Sequence, residues 1–101
     1  MTELEWLAEW FARQADGDWE HELGITIETL DNPGWSLRID LAKTPLRDAP
    51  LVSEQNEDPD YWMRLWKDDA GAVFHGAGSP RALPAMIARF REWAIAASRV
   101  Q

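Results

Sequence analysis

Hydrophobic and polar positions alternate most cleanly between Leu23 and Leu41. Leu23, Ile25 and Ile27 alternate with Gly24, Thr26 and Glu28; Trp35, Leu37, Ile39 and Leu41 alternate with Ser36, Arg38 and Asp40. A period of two marks a strand with one buried face. Between the runs lies Asp31-Asn32-Pro33-Gly34. Pro presets φ for a turn, and Gly supplies a positive φ after it. Residues opposite each other on a hairpin share a face, so the loop must hold an odd number of residues. The pattern predicts a loop over residues 30–34, with Thr29 opposite Trp35, Ile27 opposite Leu37, and Ile25 opposite Ile39. A slip of one residue would bury Glu28.

The period changes to that of a helix at both ends of the chain. Over residues 2–15, Leu4, Leu7, Ala8, Phe11 and Ala15 form one stripe, with Trp6 and Trp10 on its shoulder. Thr2 and Glu5 have capping-box spacing, and Met1 and Trp6 stand where a hydrophobic staple forms. Asp16-Gly17 is expected to end this helix. Residues 42–60 carry Pro45, Pro50, Pro59 and the acidic run at 54–58, and are expected to be mostly loop, with a short extended piece at Leu51-Val52-Ser53. A loop of that length in a small domain is functional or mobile. Tyr61 to Lys67 is a strand by its aromatics, but its facing is ambiguous: Tyr61, Met63 and Leu65 share one side, and Trp62, Arg64 and Trp66 the other. A turn at Asp69-Ala70-Gly71 leads into a strand at 72–75, broken by Gly76-Ala77-Gly78-Ser79-Pro80. A helix then starts near Leu83, with Leu83, Met86, Ile87, Phe90, Trp93, Ala94 and Ala97 as its buried stripe. The order is α-β-β-β-β-α: an α+β fold with a small four-stranded antiparallel sheet (two hairpins), the N- and C-terminal helices packed on one face and the other face partly open.

Composition narrows the function. A chain of 101 residues with 46% hydrophobic residues is expected to make a single packed domain. It lacks an apolar run long enough to span a bilayer, and Glu3 and Glu5 stand where a secretion signal carries positive charge, so a cytoplasmic location is expected. The absence of cysteine excludes disulfides, thiol catalysis and Cys-zinc sites. A net charge of −8 disfavours nucleic acid and anionic membranes and favours a basic partner. Seven Trp in 101 residues is a large number: most are expected in the core, and some can serve as interface anchors, where Trp is enriched.

Three places can carry chemistry. Asp16, Asp18, Glu20 and His21 have the D-x-D-x-E spacing of half a calcium loop, but its sixth position is His21 and its twelfth Ile27, so the ligand set is incomplete. The simpler reading is that the carboxylates fix the connector and present negative charge; the sharper one is a small metal-dependent or acid-base hydrolase. His21 and His75 are the only histidines, and no serine sits in a nucleophile motif. The 76–80 segment precedes a helix, where phosphate can bind, but it lacks a P-loop lysine, and a strand-to-helix turn is the plainer reading. Arg38 and Asp40 are ordinary solvent-side residues by default. With Trp62, Arg64 and Trp66 they can instead line a binding surface on the open sheet face.

Leu4-Glu5-Trp6-Leu7, Trp10, Asp16-Gly17-Asp18-Trp19-Glu20-His21, the run from Ile27 through Asp31-Asn32-Pro33-Gly34-Trp35-Ser36, Ile39-Asp40-Leu41, the 76–80 segment, Phe90 and Trp93 together resemble the immunity protein 53 family over nearly the whole chain. The D-G-D-W-E-H and L-D-N-P-G-W elements are specific when they occur in this order, and residues 42–60 match least. Relatives often carry a cysteine just before D-G-D-W-E-H, where this chain has Ala15, so no thiol-based role transfers. The resemblance implies a single immunity-protein-like domain over 1–101 that binds and neutralises a cognate bacterial polymorphic toxin, without enzymatic activity or cofactor. The partner is expected to be a basic toxin domain, a nuclease being one such class. A homodimer through a Trp-bearing sheet face is an alternative use of that surface. Exposure and chemistry give the contact candidates: Asp16, Asp18, Trp19, Glu20 and His21 in the connector, Asp31 and Asn32 at the hairpin tip, and Arg38, Asp40, Trp62, Arg64 and Trp66 on the sheet.

Overall fold

The first hairpin forms in the expected register. The computed structural model describes residues 1–51, 53–58, 61–68 and 70–99, with residues 98 and 99 by backbone only. In it β1 (Ile25–Leu30) and β2 (Gly34–Asp40) pair antiparallel, with Ile25 opposite Ile39, Ile27 opposite Leu37 and Thr29 opposite Trp35. Leu30 also pairs with Gly34, which shortens the connection to residues 31–33. Gly34 is not in a positive-φ conformation. Its reason for being glycine is proximity: a Cβ there would collide with the carbonyl oxygen of Gly78 on the neighbouring strand.

The sheet has five strands rather than four. β3 (Glu54–Asp58), β4 (Tyr61–Lys67) and β5 (Val73–Gly78) complete it in the order β1-β2-β5-β4-β3, all pairs antiparallel. The added strand is the acidic run expected as loop. Its residues have poor strand propensity, but strand formation depends on the neighbour as much as on the residue. Here β4 supplies the ladder, and Arg89 of the closing helix pairs with the Glu54 carboxylate, one contact being Nε to Oε2 at 2.9 Å. Leu51 and Ser53 lie outside any strand, and Val52 lies outside the described residues. The β4–β5 turn is closed by Gly71 N–H donating to Asp68 O at 2.9 Å, with Asp69 outside the described residues. β5 continues to Gly78, past the expected break.

The helices cover one face. α1 (Glu3–Gln14) begins with the capping box: Thr2 Oγ1 accepts from Glu5 N–H at 3.1 Å, and Glu5 Oε1 accepts from Thr2 N–H at 3.2 Å. Its core stripe is rotated from the expected one. Trp6, Leu7 and Trp10 are buried, while Leu4 is 63% exposed and Phe11 37%; Met1, at 75%, makes no buried staple. The physical reason is the aromatic packing across the helix pair. Trp6 and Trp10 meet Phe90 edge-on at 5.9 and 5.2 Å, and the larger indole surface takes the inside. A further short helix, α2 (Trp19–Glu22), follows α1 in the chain and precedes β1. α3 (Leu83–Arg99) closes the fold, placing Met86, Ile87, Phe90 and Ala94 against Leu37, Ile39, Leu65 and Phe74 of the sheet's inner face.

Residues 42–50 are a packed strap. Thr44 is buried, its Oγ1 donating to Leu41 O at 2.7 Å and accepting from Leu46 N–H at 3.2 Å, and Leu46 and Ala49 enter the core. Lys67 Nζ donates to Arg47 O and Ala49 O, each at 2.8 Å, and Trp93 Nε1 donates to Pro50 O at 2.9 Å. Burial desolvates the Lys67 ammonium and lowers its pKa.

Candidate functional site

The face of the sheet turned away from the helices follows from the register. Ser36, Arg38 and Asp40 on β2, His75 and Ala77 on β5, and Trp62, Arg64 and Trp66 on β4 all point outward. Arg38 lies opposite His75, and His75 opposite Trp66, so these three form one row across the middle of the sheet. The His75 imidazole stacks on the Trp66 indole with centroids 5.0 Å apart and planes 12° from parallel. The Arg64 guanidinium stands over the same indole at 5.6 Å. Trp62 and Trp66 are each half-buried, and Arg64 is exposed. Glu28 and Glu57 extend this face onto the two edge strands.

Electrostatics divide the row into roles. Burial, then the charge of Arg38, lowers the His75 pKa below its ordinary value, so the stacked ring is neutral at neutral pH. Arg38 and Arg64 are therefore the cations of the patch. Asp40 is committed: Oδ2 accepts from Gly24 N–H at 2.9 Å and Oδ1 pairs with Arg38 at 3.4 Å. Its carboxylate ties the start of β1 to β2 and steers the Arg38 side chain, which stays 52% exposed.

The connector candidates serve the fold. Asp16 Oδ1 accepts from the N–H groups of Asp18 and Trp19, both at 3.0 Å. Glu20 Oε1 accepts from Asp16 and Gly17 N–H at 3.0 Å, and its Oε2 from Gly17 at 2.8 Å. Backbone N–H donors lower both carboxyl pKa values: for Asp16 the N–H of Trp19 is the largest cause, and for Glu20 it is the residue's own N–H, with Gly17 and Asp16 adding to it. Trp19 is 2% exposed and packs edge-on against Trp10 at 6.0 Å and Phe11 at 5.6 Å, so it belongs to the core and offers a partner no surface. Asp18 and His21 remain exposed. Asp31 and Asn32 are exposed at the hairpin tip, past the opposite end of β1, whose six residues put roughly 20 Å between the two groups. Connector, tip and sheet face are three places, not one.

The catalytic alternative finds little footing in this geometry. Among the described residues no three His, Asp or Glu side chains converge as a metal-binding group. The glycines of the 76–80 segment admit protein: a Cβ on Gly76 would crowd Met86 and Leu65, and one on Gly78 would meet Ala82. An open groove of about 610 Å³ between α1, α3 and the strap is lined by Trp6, Trp10, Pro45 and Leu46, with Arg13 as its one ionisable side chain among the described residues.

The model of the family described as immunity protein 53 matches residues 4–95. The chain belongs to the immunity protein 53 family. No curated protein and no solved structure matches it. Membership places the chain among the immunity proteins, and none of its helices, among the described residues, is long and apolar enough to cross a membrane. For an immunity protein 53 member, the residue that the sequence left out of the candidate site is His75. Its signal was the short turn between β4 and β5, which sets it opposite Trp66.

Proposed function

We propose that this immunity protein 53 member neutralises a cognate polymorphic toxin by direct contact through the outer face of its sheet. The observation that carries this reading is the uncovered row Arg38–His75–Trp66, with Arg64 laid over the same indole and Trp62 further along β4 on the same face. A partly exposed Trp on a strand is an anchor: it offers large apolar area at low entropic cost, and such residues dominate binding energies. The two guanidiniums present fork-shaped donors to carbonyl or carboxylate groups of the toxin. Trp66 and Arg64 hold each other in place before binding, which reduces the ordering cost.

The net charge of −8 supports a basic toxin domain as the partner. A field of that sign speeds encounter with a positive surface and makes the on-rate fall with salt. Asp18, Asp31, Glu28 and Glu57 contribute to that field from around the sheet, while the aromatic row supplies the durable contact. Inhibition needs no chemistry on this chain, only occlusion of the toxin.

Titration calorimetry against the toxin domain encoded beside this chain tests the reading. The expected result is a one-to-one complex whose affinity falls at least tenfold in Arg64→Glu and Trp66→Ala and stays near wild type in His21→Ala. Equal affinity for all the variants would move the interface off the sheet.

A further inference from the structure

The two edges of the sheet are built differently. In an antiparallel ladder, opposed residues alternate between pairs that exchange both backbone hydrogen bonds and pairs that exchange none. Asp40 N–H donates to Gly24 O at 3.0 Å, which sets Gly24–Asp40 in the bonded phase of the ladder, the Gly24 N–H itself going to the Asp40 carboxylate. Counting along the register, Thr26–Arg38, Glu28–Ser36 and Leu30–Gly34 are bonded too. The N–H and C=O groups of Ile25, Ile27 and Thr29 therefore point away from β2, at the free edge of the sheet. Leu41 N–H to Ala72 O at 2.7 Å fixes the same phase on the other side of β2.

Unpaired edges are normally blunted by lysine, proline, bulges or inward charge. β3, the opposite edge, carries Glu54, Glu57 and Asp58, and its Asn56 side chain bonds its own strand's backbone at Asp58 N–H, 3.1 Å. β1 reads Ile-Thr-Ile-Glu-Thr-Leu over six residues, contains no lysine or proline, and leaves Ile27 38% exposed. It is a strand of high propensity with its ladder open.

We infer that β1 pairs antiparallel with β1 of a second copy about a two-fold axis through Ile27, making one continuous sheet from two chains. The register is self-complementary in each respect that the strand allows. Ile27 meets its symmetry mate, and Ile25 meets Thr29 of the other copy, so the residues with free edge groups pair with one another and no others. On the helix-covered face the exposed Ile27 side chains bury against each other. On the outer face Thr26 stands opposite Glu28 of the other copy, a hydroxyl beside a carboxylate. A shift that centres the axis on Glu28 would oppose two carboxylates, which is destabilising. The analogous pairing of β3 about Asn56 would set Glu54 against Asp58, so only β1 is fit for self-association. The axis is perpendicular to the sheet, so both Arg38–His75–Trp66 rows face the same side and stay uncovered.

The test uses the full chain without toxin. Sedimentation equilibrium is expected to give twice the 11.6 kDa chain mass. Ile27→Pro removes an edge donor that takes no part in the β1–β2 ladder, and proline is tolerated on edge strands, so this variant is expected to fold and sediment as a monomer. Ile27→Lys, an edge-blunting change, is expected to do the same and covers the case in which the proline variant misfolds. In wild type, amide hydrogen exchange is expected to slow at Ile25, Ile27 and Thr29 as concentration rises. A wild-type monomer even at about 1 mM chain overturns the inference. So does a dimer that survives both substitutions, one that dissociates instead in Trp66→Ala, or protection of these amides that appears only when toxin is added.

Discussion

Truncating Trp66 separates binding from folding, and the structure sets the size of each effect. The indole is half-buried, stacked on His75 at 5.0 Å and capped by Arg64 at 5.6 Å. An aromatic pair is worth about 0.5–1.5 kcal/mol beyond area burial, and a surface cation–π contact about 0.5–1 kcal/mol. These two contacts therefore contribute about 1–2.5 kcal/mol to the stability lost in Trp66→Ala, on top of the apolar area that the partly buried indole removes from water, and the total should stay below the loss at a fully buried aromatic. Phe90 gives the contrast: it is fully buried, touches Trp6, Trp10, Phe74 and Trp93, and its truncation to Ala should cost about 3–5 kcal/mol. Binding should reverse the order. An anchoring Trp at an interface centre is worth at least about 2 kcal/mol, or roughly 30-fold in Kd, whereas Phe90→Ala should leave the affinity of its folded fraction near wild type. Urea unfolding followed by far-ultraviolet circular dichroism, which avoids the overlapping Trp fluorescence, gives the stabilities; calorimetric titration with the toxin domain gives the affinities. A Trp66→Ala loss in stability as large as that of Phe90→Ala would refute the placement of this residue outside the core. An unchanged Kd would refute its role as an anchor.

Other consequences are open to measurement. Gly34→Ala forces a Cβ into the Gly78 carbonyl oxygen and should lower stability by about 1–3 kcal/mol in chemical denaturation, whereas a positive-φ explanation would predict the same loss without any disturbance of β5 in amide exchange. Asp16→Ala should lower the thermal midpoint, because two backbone N–H groups lose their acceptor, and calcium or chelator should leave wild type unmoved; a metal-dependent midpoint would contradict the structural role. His75 has a lowered pKa in the fold, so the unfolded chain binds its proton more readily. Its contribution is present above the ordinary histidine pKa of about 6.5 and is lost as pH falls through the folded value. Wild type should thus lose more stability than His75→Gln when pH drops from about 7 to about 5, and parallel losses would contradict the shift.

The parts of the fold that were legible in the sequence are those where one face is plainly apolar. The β1–β2 register followed from alternation and loop parity, and the α1 cap from Thr2 and Glu5. The fifth strand was not legible, because Glu54 to Asp58 has strand structure only through its ladder to β4 and the Arg89 ion pair, both distant in sequence. The rotation of α1 was hidden for a related reason: Trp is amphipathic by hydropathy, and only Phe90 on α3 decides that Trp6 and Trp10 turn inward. YWMRLWK carries aromatics on both sides, so its facing waited on β5, where Leu65 lies opposite Gly76 and can enter the core. The same pairing brings His75 to Trp66. Carboxylates of the connector looked like chemistry because spacing does not reveal that backbone N–H groups already occupy them.

A rescue assay bears most directly on the central claim, that this immunity protein 53 member protects by holding a toxin against the outer face of its sheet. Cells would express the toxin domain encoded by the neighbouring gene together with wild type, with Arg64→Glu/Trp66→Ala, or with Asp18→Lys. Soluble, folded protein would be verified in each case. The account predicts survival with wild type and with the Asp18 reversal, and death with the sheet-face pair. Death with wild type, or full protection by the sheet-face pair, would contradict it.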